Sequence, residues 1–526
     1  MVWITRKVMG SRGRKVFNCC FWLSWVKRDI LKFKINTFLL LAIFGACLFF
    51  FLLKPGIHLL LTDDQDERKP VPLGYADDVS RLNMTQVAET WILPVHAESP
   101  EQQLRQLILK AQKEGGKIAI AGARHSMGGH TLHPGGIVVD MLPWNKMTLD
   151  SEAKLLTVQA GALWKEVIAF LDKQGFSVSI MQSNHSFSVG GTLSVNAHGW
   201  QYGQPPVASS VQSFRLMMSD GEIVRCSRTE NEALFSLALG GYGLFGIILD
   251  VELRVVANQR LQMTQYIVPS TDLLVELKQH ADDNGRVQMV FARMNVAPDE
   301  FLQMMIINVF EQVAGDVPAL TKPGLTGLKR AIFRGSVESA YGKSLRWFAE
   351  TKIQRLLSGD IFSRNQLLNE GVEVFENRQA ATRDILHEYF VPKDRANDFI
   401  LALQKIIPQQ KGDLLNVTVR AVNEDHDTFL RYAHEPMMAF VMLFSQDNSS
   451  QGEMKMKRLT QSLIDAAIMH GGRYYLPYRL HATDEQFSKA YPMGREFFDQ
   501  KNRVDPNGLF QNTFYTRYGK QAATGQ

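Results

Sequence analysis

The sequence predicts an α+β protein: a half of alternating short helices and strands, then a strand-rich half, behind an apolar N-terminal segment. Three observations predict it. Residues 86–257 alternate short apolar runs with amphipathic stretches that end at glycines. Residues 258–482 hold longer runs rich in β-branched and aromatic residues. The 526 residues, 45% hydrophobic and 21% charged, exceed one domain yet have ordinary globular composition. Disordered, collagenous and disulfide-rich classes are thereby excluded.

Charge is placed unevenly. The net charge is +5, but residues 1–34 hold nine Lys/Arg against one acid, Asp29, a local +8. The other 49 basic residues meet 52 acidic ones, a net −3, so nothing beyond the leader resembles a nucleic-acid footprint. Residues 35–53, INTFLLLAIFGACLFFFLL, carry no charge. As a helix they would span about 28 Å, close to a bilayer's hydrocarbon thickness. Basic residues ahead of this run predict a single-pass anchor with residues 1–34 as a cytoplasmic tail. The rest would be extracytoplasmic, and periplasmic in a bacterium. A signal peptide and a buried core helix are the competing readings; the long charged leader and the lack of a prompt small-x-small site disfavour the former. Residues 54–85 are expected to be a linker. Cys19, Cys20 and Cys47 accompany the apolar region, which leaves Cys226 alone as a small buried residue. No Cys/His spacing suits a metal.

The alternating half opens with an amphipathic helix over 101–114, in which Leu104, Leu107, Ile108 and Ala111 share a stripe. Gly115-Gly116 stops it, and a buried strand follows over 117–121. Then comes Ala121-Gly122-Ala123-Arg124-His125-Ser126-Met127-Gly128-Gly129-His130. Small residues let successive backbone N–H groups converge on an approaching phosphate or diphosphate. The pattern is neither a P-loop nor a dinucleotide GxGxxG, and a plain glycine-rich turn fits it too. Strands over 137–141 and 156–160 lead to a helix with Leu163, Trp164, Val167, Ile168 and Leu171 on its apolar face. The run from Gln182 to Gly199 is again rich in glycine and small residues. Asp220-Gly221 joins two strands as a hairpin, and Gly240–Gly246 feeds a strand ending near Val256.

In that order, these segments resemble the FAD-binding domain of the vanillyl-alcohol oxidase / p-cresol methylhydroxylase (PCMH-type) family. The resemblance covers about 86–257 and returns in 483–526, where Val504–Phe510 is similar to the family's closing segment. It implies FAD held between two α/β subdomains, with alditol and aldonolactone oxidases and decaprenylphosphoryl-ribose oxidase the nearest in character. Ala121, Gly122, Ala123, Arg124, His125, Ser126, Met127, Gly128 and Gly129 would wrap the FAD diphosphate. Ser183, Ser188, Val189, Gly190, Gly191, Val195, Asn196, Ala197 and His198 would lie along the flavin, and Ile247 would meet the adenine side by its backbone. Some members carry the flavin covalently on a His at the place of His125, and others hold it without a bond; both stay open. Asn184 stands where doubly linked members have Cys, so a second link is not expected.

Residues 258–482 then correspond to the family's cap, an antiparallel sheet over the flavin. Expected strands are 286–296, 304–310, 415–422 and 438–444, with helices over 396–406 and 456–470. Asn416–Val422 resembles the family strand on which an Arg, in sugar-alcohol oxidases, or a Lys faces the substrate; alternation would put Asn416, Thr418 and Arg420 on one face, with Arg420 suited to orienting a hydroxyl. In Gly471–Arg479, Tyr475 is similar to a flavin-contacting aromatic. The family's catalytic Lys is replaced by Tyr478, with Arg479 next: either Tyr478, its pKa lowered by Arg479 or by a nearby Arg420, takes the catalytic role, with His125 and His198 as further candidates for the proton, or the substrate differs from the sugar alcohols. Residues 324–364 hold eight Lys/Arg among apolar residues: a solvated helix pair, or a lid on anionic lipid.

These implications define a membrane-anchored FAD oxidoreductase that moves a hydride from a CH–OH carbon to flavin N5. Its substrate would be a sugar alcohol, a lactone or a lipid-linked sugar, and its acceptor could be a quinone. Two alternatives remain open: a sterol-type C=C reductase, and a flavoprotein that only carries electrons.

Overall fold

The computed structural model describes residues 65–519 except 97–98, 282–284, 323 and 354–359, together with 39–42, 44–46, 49 and 53–62. The chain divides into two compact units, Met1–Asp63 and Asp64–Gln526. The basic tail and most of the expected anchor lie outside the described residues. Among the described residues no helix is long and apolar enough to cross a membrane. Lys54–Leu60, at the start of the expected linker, is a short helix.

Much of the remaining linker belongs to the second unit. Glu67 N–H donates to the Arg378 carbonyl at 3.0 Å, and its carboxylate accepts from Ala380 N–H at 2.8 Å. Strands β1 (Tyr75–Ala76) and β2 (Thr85–Gln86) pair as an antiparallel ribbon. Between them Asp77, Asp78 and Ser80 are buried. The polar composition that suggested a spacer instead supplies hydrogen bonds to its neighbours.

Three parallel strands follow, β3 (Glu89–Ile92), β4 (Ile118–Ala121) and β5 (Ile137–Asp140), in the order β3–β5–β4. Helix Pro100–Lys113 joins β3 to β4 and buries Leu104, Ile108 and Ala111, the predicted stripe. The glycine-rich loop leaves the end of β4. The next sheet holds β6 (Met147–Asp150), β7 (Leu155–Gln159), β8 (Phe176–Val178), β9 (Val211–Met217), β10 (Ile223–Ser227) and β11 (Ile247–Ala257). Its order is β10–β9–β11–β7–β6, with β8 on β11, and every pair is antiparallel. Two α/β subdomains were expected; the second is an antiparallel sheet with helices. The reason is local: the Asp220-Gly221 turn, with Gly221 at φ +80°, folds β10 directly back on β9.

The cap is an eight-stranded antiparallel sheet: β12 (Arg260–Pro269), β13 (Val287–Met294), β14 (Met304–Gln312), β15 (Ile361–Ser363), β16 (Thr382–Pro392), β17 (Asp413–Val422), β18 (Met437–Asp447) and β19 (Arg473–Tyr474). The order is β15–β12–β14–β13–β17–β18–β16–β19. Helices Ala396–Gln409 and Ser450–Met469 turn Phe399, Leu403, Leu459 and Leu463 inward. The sequence reading missed β12 and β16. In 324–364, five of the eight cations face inward. Arg330 donates to the Glu376 carbonyl at 2.6 Å, Arg334 pairs with Asp384, and Lys343 meets Asp413 at 2.7 Å. Arg346 bonds Glu350 at 2.8 Å, and Arg364 donates to the Ser179 carbonyl at 2.7 Å. Lys329 and Lys352 are exposed, and Arg355 lies outside the described residues. A lipid-facing basic lid therefore loses most of its charge to internal partners.

The C-terminal segment closes on the first subdomain: Ile118 N–H donates to the Leu509 carbonyl at 2.8 Å, and Gln511 N–H to the Ile118 carbonyl at 2.9 Å. A fully buried Lys501–Asp505 pair (2.6 Å) supports that return.

Candidate active site

A cleft of about 1330 Å3, partly open to solvent, is lined by residues of both FAD-type subdomains and of the cap. The loop after β4 forms one side. Gly122 lies close against Ser188: a Cβ there would sit 2.0 Å from Ser188 Oγ and 3.0 Å from its Cβ. Ala123 N–H donates to that same oxygen at 3.3 Å. Arg124, at φ +54°, turns back to pair with Asp140 at 3.1 Å. His125 stacks on Phe187 with ring centroids 4.2 Å apart, and burial pulls its pKa down to about 4. Its imidazole is neutral at pH 7.

Met127, Gly128 and Gly129 depart from the expected wrap and do not line the cleft. Met127 N–H donates to the Pro477 carbonyl at 2.8 Å, and Gly129 N–H to Asp78 Oδ2 at 2.9 Å. A Cβ on Gly128 would meet the Tyr478 carbonyl oxygen at 2.5 Å. The first half of the loop faces the cleft, and its second half fastens the loop to the cap and to the former linker.

Ser188, Gly190 and Gly191 line the cleft around the start of helix Val189–Ser194, while Val189 is fully buried behind them. Val195, Ala197 and His198 also line it. Asn196, at φ +47°, instead donates to Asp425 at 2.9 Å and accepts from Ala208 N–H at 3.1 Å. Ile247 is buried in the core beside β4; its neighbours Gly246 and Ile248 line the cleft. Thus Val189, Asn196 and Ile247 support the wall from behind.

From the cap come Arg420 on β17, Tyr475 and Tyr478. Asn416 donates to Thr418 Oγ1 at 3.1 Å, which confirms the predicted shared face. Arg420 Nη2 donates to Ser183 Oγ at 3.0 Å. Tyr475 OH donates to the Val195 carbonyl at 2.9 Å. Arg479 departs from its expected catalytic place: it pairs with Glu453 and donates to Asn83 Oδ1 at 2.8 Å and the Met127 carbonyl at 3.2 Å. Tyr478 lines the cleft, whereas Arg479 turns to these partners outside it.

Sequence reasoning missed Glu388. It lies on β16, 4% exposed, and lines the cleft. Its one oxygen contacts His198 Nε2 closely, and the other accepts from Tyr478 OH at 3.3 Å. His198 Nδ1 faces the Gly199 carbonyl at 3.3 Å, so the ring is held between that carbonyl and Glu388. A lone acid inside the run Ile385–Val391 was the available signal.

Burial, then Glu388, pushes the Tyr478 pKa well above its usual 10, although Arg420 opposes this. Tyr478 is therefore a hydrogen-bond donor at neutral pH, and the cation expected to make it a base does not prevail. Burial lowers the Arg420 pKa, with Glu388 and Tyr478 opposing.

The cleft suits FAD on its own chemistry. Ser126 Oγ, Thr131 Oγ1 and Arg420 Nε line it, buried and without a protein partner. Buried donors of this kind call for ligand acceptors, which a diphosphate and a flavin ring edge supply.

Residues 95–227 match the FAD binding domain family, and residues 251–518 match the D-arabinono-1,4-lactone oxidase family. The chain is 21% identical to mouse (Mus musculus) L-gulonolactone oxidase over 78% of this chain and 92% of that protein. It is 27% identical to rice (Oryza sativa subsp. japonica) mitochondrial L-galactono-1,4-lactone dehydrogenase 2 over 50% of this chain and 44% of that protein. It is 34% identical to Arabidopsis thaliana cytokinin dehydrogenase 2 over 25% of this chain and 26% of that protein. The glycine-lined cleft, its cap and these matches agree: the chain belongs to the D-arabinono-1,4-lactone oxidase family of PCMH-type FAD-dependent oxidoreductases, enzymes acting on CH–OH donors.

Proposed function

We propose that the chain oxidises a CH–OH group of an aldonolactone or a closely related sugar-type substrate. One observation carries this reading: Arg420, Glu388, Tyr478 and His198 meet in the cleft that the FAD-type loop also lines. Bound FAD supplies the hydride acceptor. Arg420 holds the substrate oxygen and stabilises alkoxide charge as it develops. Glu388 takes the hydroxyl proton, with Tyr478 donating to its second oxygen and His198 fixing the first. The ring carbonyl of a lactone gives Arg420 a second acceptor, which favours lactones over simple polyols. Anaerobic mixing with D-arabinono-1,4-lactone, L-gulonolactone and L-galactono-1,4-lactone tests this: a lactone should bleach the flavin absorbance. Bleaching by NADPH but by no lactone or polyol would instead favour the C=C reductase, and bleaching by nothing would favour an electron carrier.

Two finer points belong to the same proposal. A neutral, stacked His125 lining the cleft is suited to a covalent flavin bond; acid-denatured protein should stay yellow, and His125→Ala should release the flavin. Residues 35–53 anchor the enzyme, with the catalytic part extracytoplasmic and a quinone as acceptor. The charge-free run behind nine basic residues supports this, and carbonate extraction that frees the full-length chain from membranes would refute it.

A further inference from the structure

A second cavity, of about 890 Å3 and likewise partly open to solvent, shares no lining residue with the flavin cleft. It is built from the β17–β18 connection, from β19 and from the chain near Tyr491. Phe429, Tyr491 and Met493 give it an apolar lining, while Arg431, Arg473 and His434 bring cationic or titratable nitrogen. The two guanidinium groups are weakly engaged. Arg431 Nη1 donates to the Asp425 carbonyl at 3.1 Å, and Arg473 Nη1 donates to the Arg431 carbonyl. Arg473 also lies 5.5 Å over the Tyr491 ring. Among the described residues neither meets a carboxylate, although a guanidinium offers five N–H donors.

The acids nearby are engaged elsewhere. Asp427, the single acid in the lining, accepts from Arg228 Nε at 2.7 Å. Asp425 is buried against Asn196 and Thr428. Glu435 is half-exposed beside His434 at 3.5 Å, and Glu424 meets the outward His426 at 3.5 Å. Burial first, then Arg473, lowers the His434 pKa, and Arg431 acts in the same direction. Two guanidinium groups at one cavity, with the lining acid Asp427 already paired to Arg228, leave donors that an anion can complete.

We propose that this cavity binds an organic anion, a carboxylate or phosphoryl group on an apolar body. Arg431 and Arg473 grip the charged end, and Phe429, Tyr491 and Met493 cover the rest. The site stands apart from the flavin chemistry but close to it: Tyr432, next to Arg431, stacks on Phe390 at 4.2 Å and meets Tyr475 of the cleft at 5.1 Å.

Titration calorimetry of the flavin-loaded full chain tests this with benzoate and phenyl phosphate as probes. Inorganic phosphate lacks the apolar body, and benzyl alcohol lacks the charge. At least one aryl anion should bind saturably and about tenfold or more tighter than either control, and the tighter arm tells carboxylate from phosphoryl. Arg473→Gln and Arg431→Gln should each weaken it about tenfold or more while the flavin spectrum stays unchanged. Arg431 is partly exposed, so its variant remains informative should Arg473→Gln misfold. No saturable binding, no advantage over the controls, or equal binding in Arg431→Gln overturns the proposal. So does binding that survives Arg431→Gln but disappears in Arg420→Gln, which would place the anion in the flavin cleft.

Discussion

Replacing Glu388 by Gln keeps the side chain's shape and one hydrogen-bond acceptor while removing its capacity to take a proton. Glu388 is buried, bonded to His198 through one oxygen and to Tyr478 through the other, so no solvent carboxylate replaces it. Tyr478 cannot substitute as a base, because its pKa is pushed upward. General-base catalysis contributes about 10²–10⁴-fold. At about 1.4 kcal/mol per tenfold, that is roughly 3–5 kcal/mol of barrier. The assay is anaerobic stopped-flow bleaching of the flavin by the best lactone, which isolates the reductive step from the acceptor. We expect Glu388→Gln to slow that first-order step by about 100-fold or more, with FAD content unchanged. A bleaching rate within about threefold of the unmodified enzyme would refute the assignment of Glu388 as the proton acceptor.

Arg420→Lys should lower kcat/KM for the lactone by roughly 100-fold, because a point charge cannot make the same fork of hydrogen bonds; near-normal steady-state kinetics would contradict this. Arg479→Gln should lower the thermal midpoint while leaving the bleaching rate within a few-fold, since Arg479 fastens Glu453, Asn83 and Met127 rather than facing the cleft. A lost rate at an unchanged midpoint would restore its catalytic reading. Gly199→Ala places a Cβ 2.1 Å from the Met181 carbonyl oxygen and must displace adjacent His198, so the purified variant should carry less flavin by its visible absorbance. Acid should destabilise the fold. Burial holds His125 at about 4, and His130 and His387 at about 3, below the ordinary 6.5, so the unfolded chain takes up their protons as pH falls through 6.5. Asp78, raised to about 6 by burial, acts oppositely between 3.8 and 6. The histidines begin to act at a higher pH than the aspartates, so unfolding free energy from urea titrations should fall as pH is lowered from about 7 toward about 6; a flat or rising profile there would contradict it.

What could be read from the sequence depended on how local the determining physics is. Gly122 and Gly190 stood out as glycines in runs of small residues, and each leaves little room for a side chain, against Ser188 and Ala160 respectively. The helix with Trp164, Val167, Ile168 and Leu171 was legible from its period, and all four are fully buried. Arg420 was found through the resemblance of 416–422 to the family's substrate-facing strand, and alternation over 416–420 then placed it with Thr418 and Asn416. Glu388 was hidden because β16 is buried along most of its length and shows little alternation. Arg479 was misplaced because, between β19 and the next helix, no period says which of two neighbours turns inward. The polar stretch 75–85 looked like a spacer because hydrogen bonds to Gly129 or Met127 lie far away in the chain.

The proton-handling couple is divided across a boundary. His198 arrives on the cofactor-holding half and Glu388 on the cap, so neither half owns a complete acid–base apparatus. Any hinge motion that lifts the cap to admit substrate also pulls that couple apart. The integrity of this couple therefore reports directly on how well the two halves are packed together.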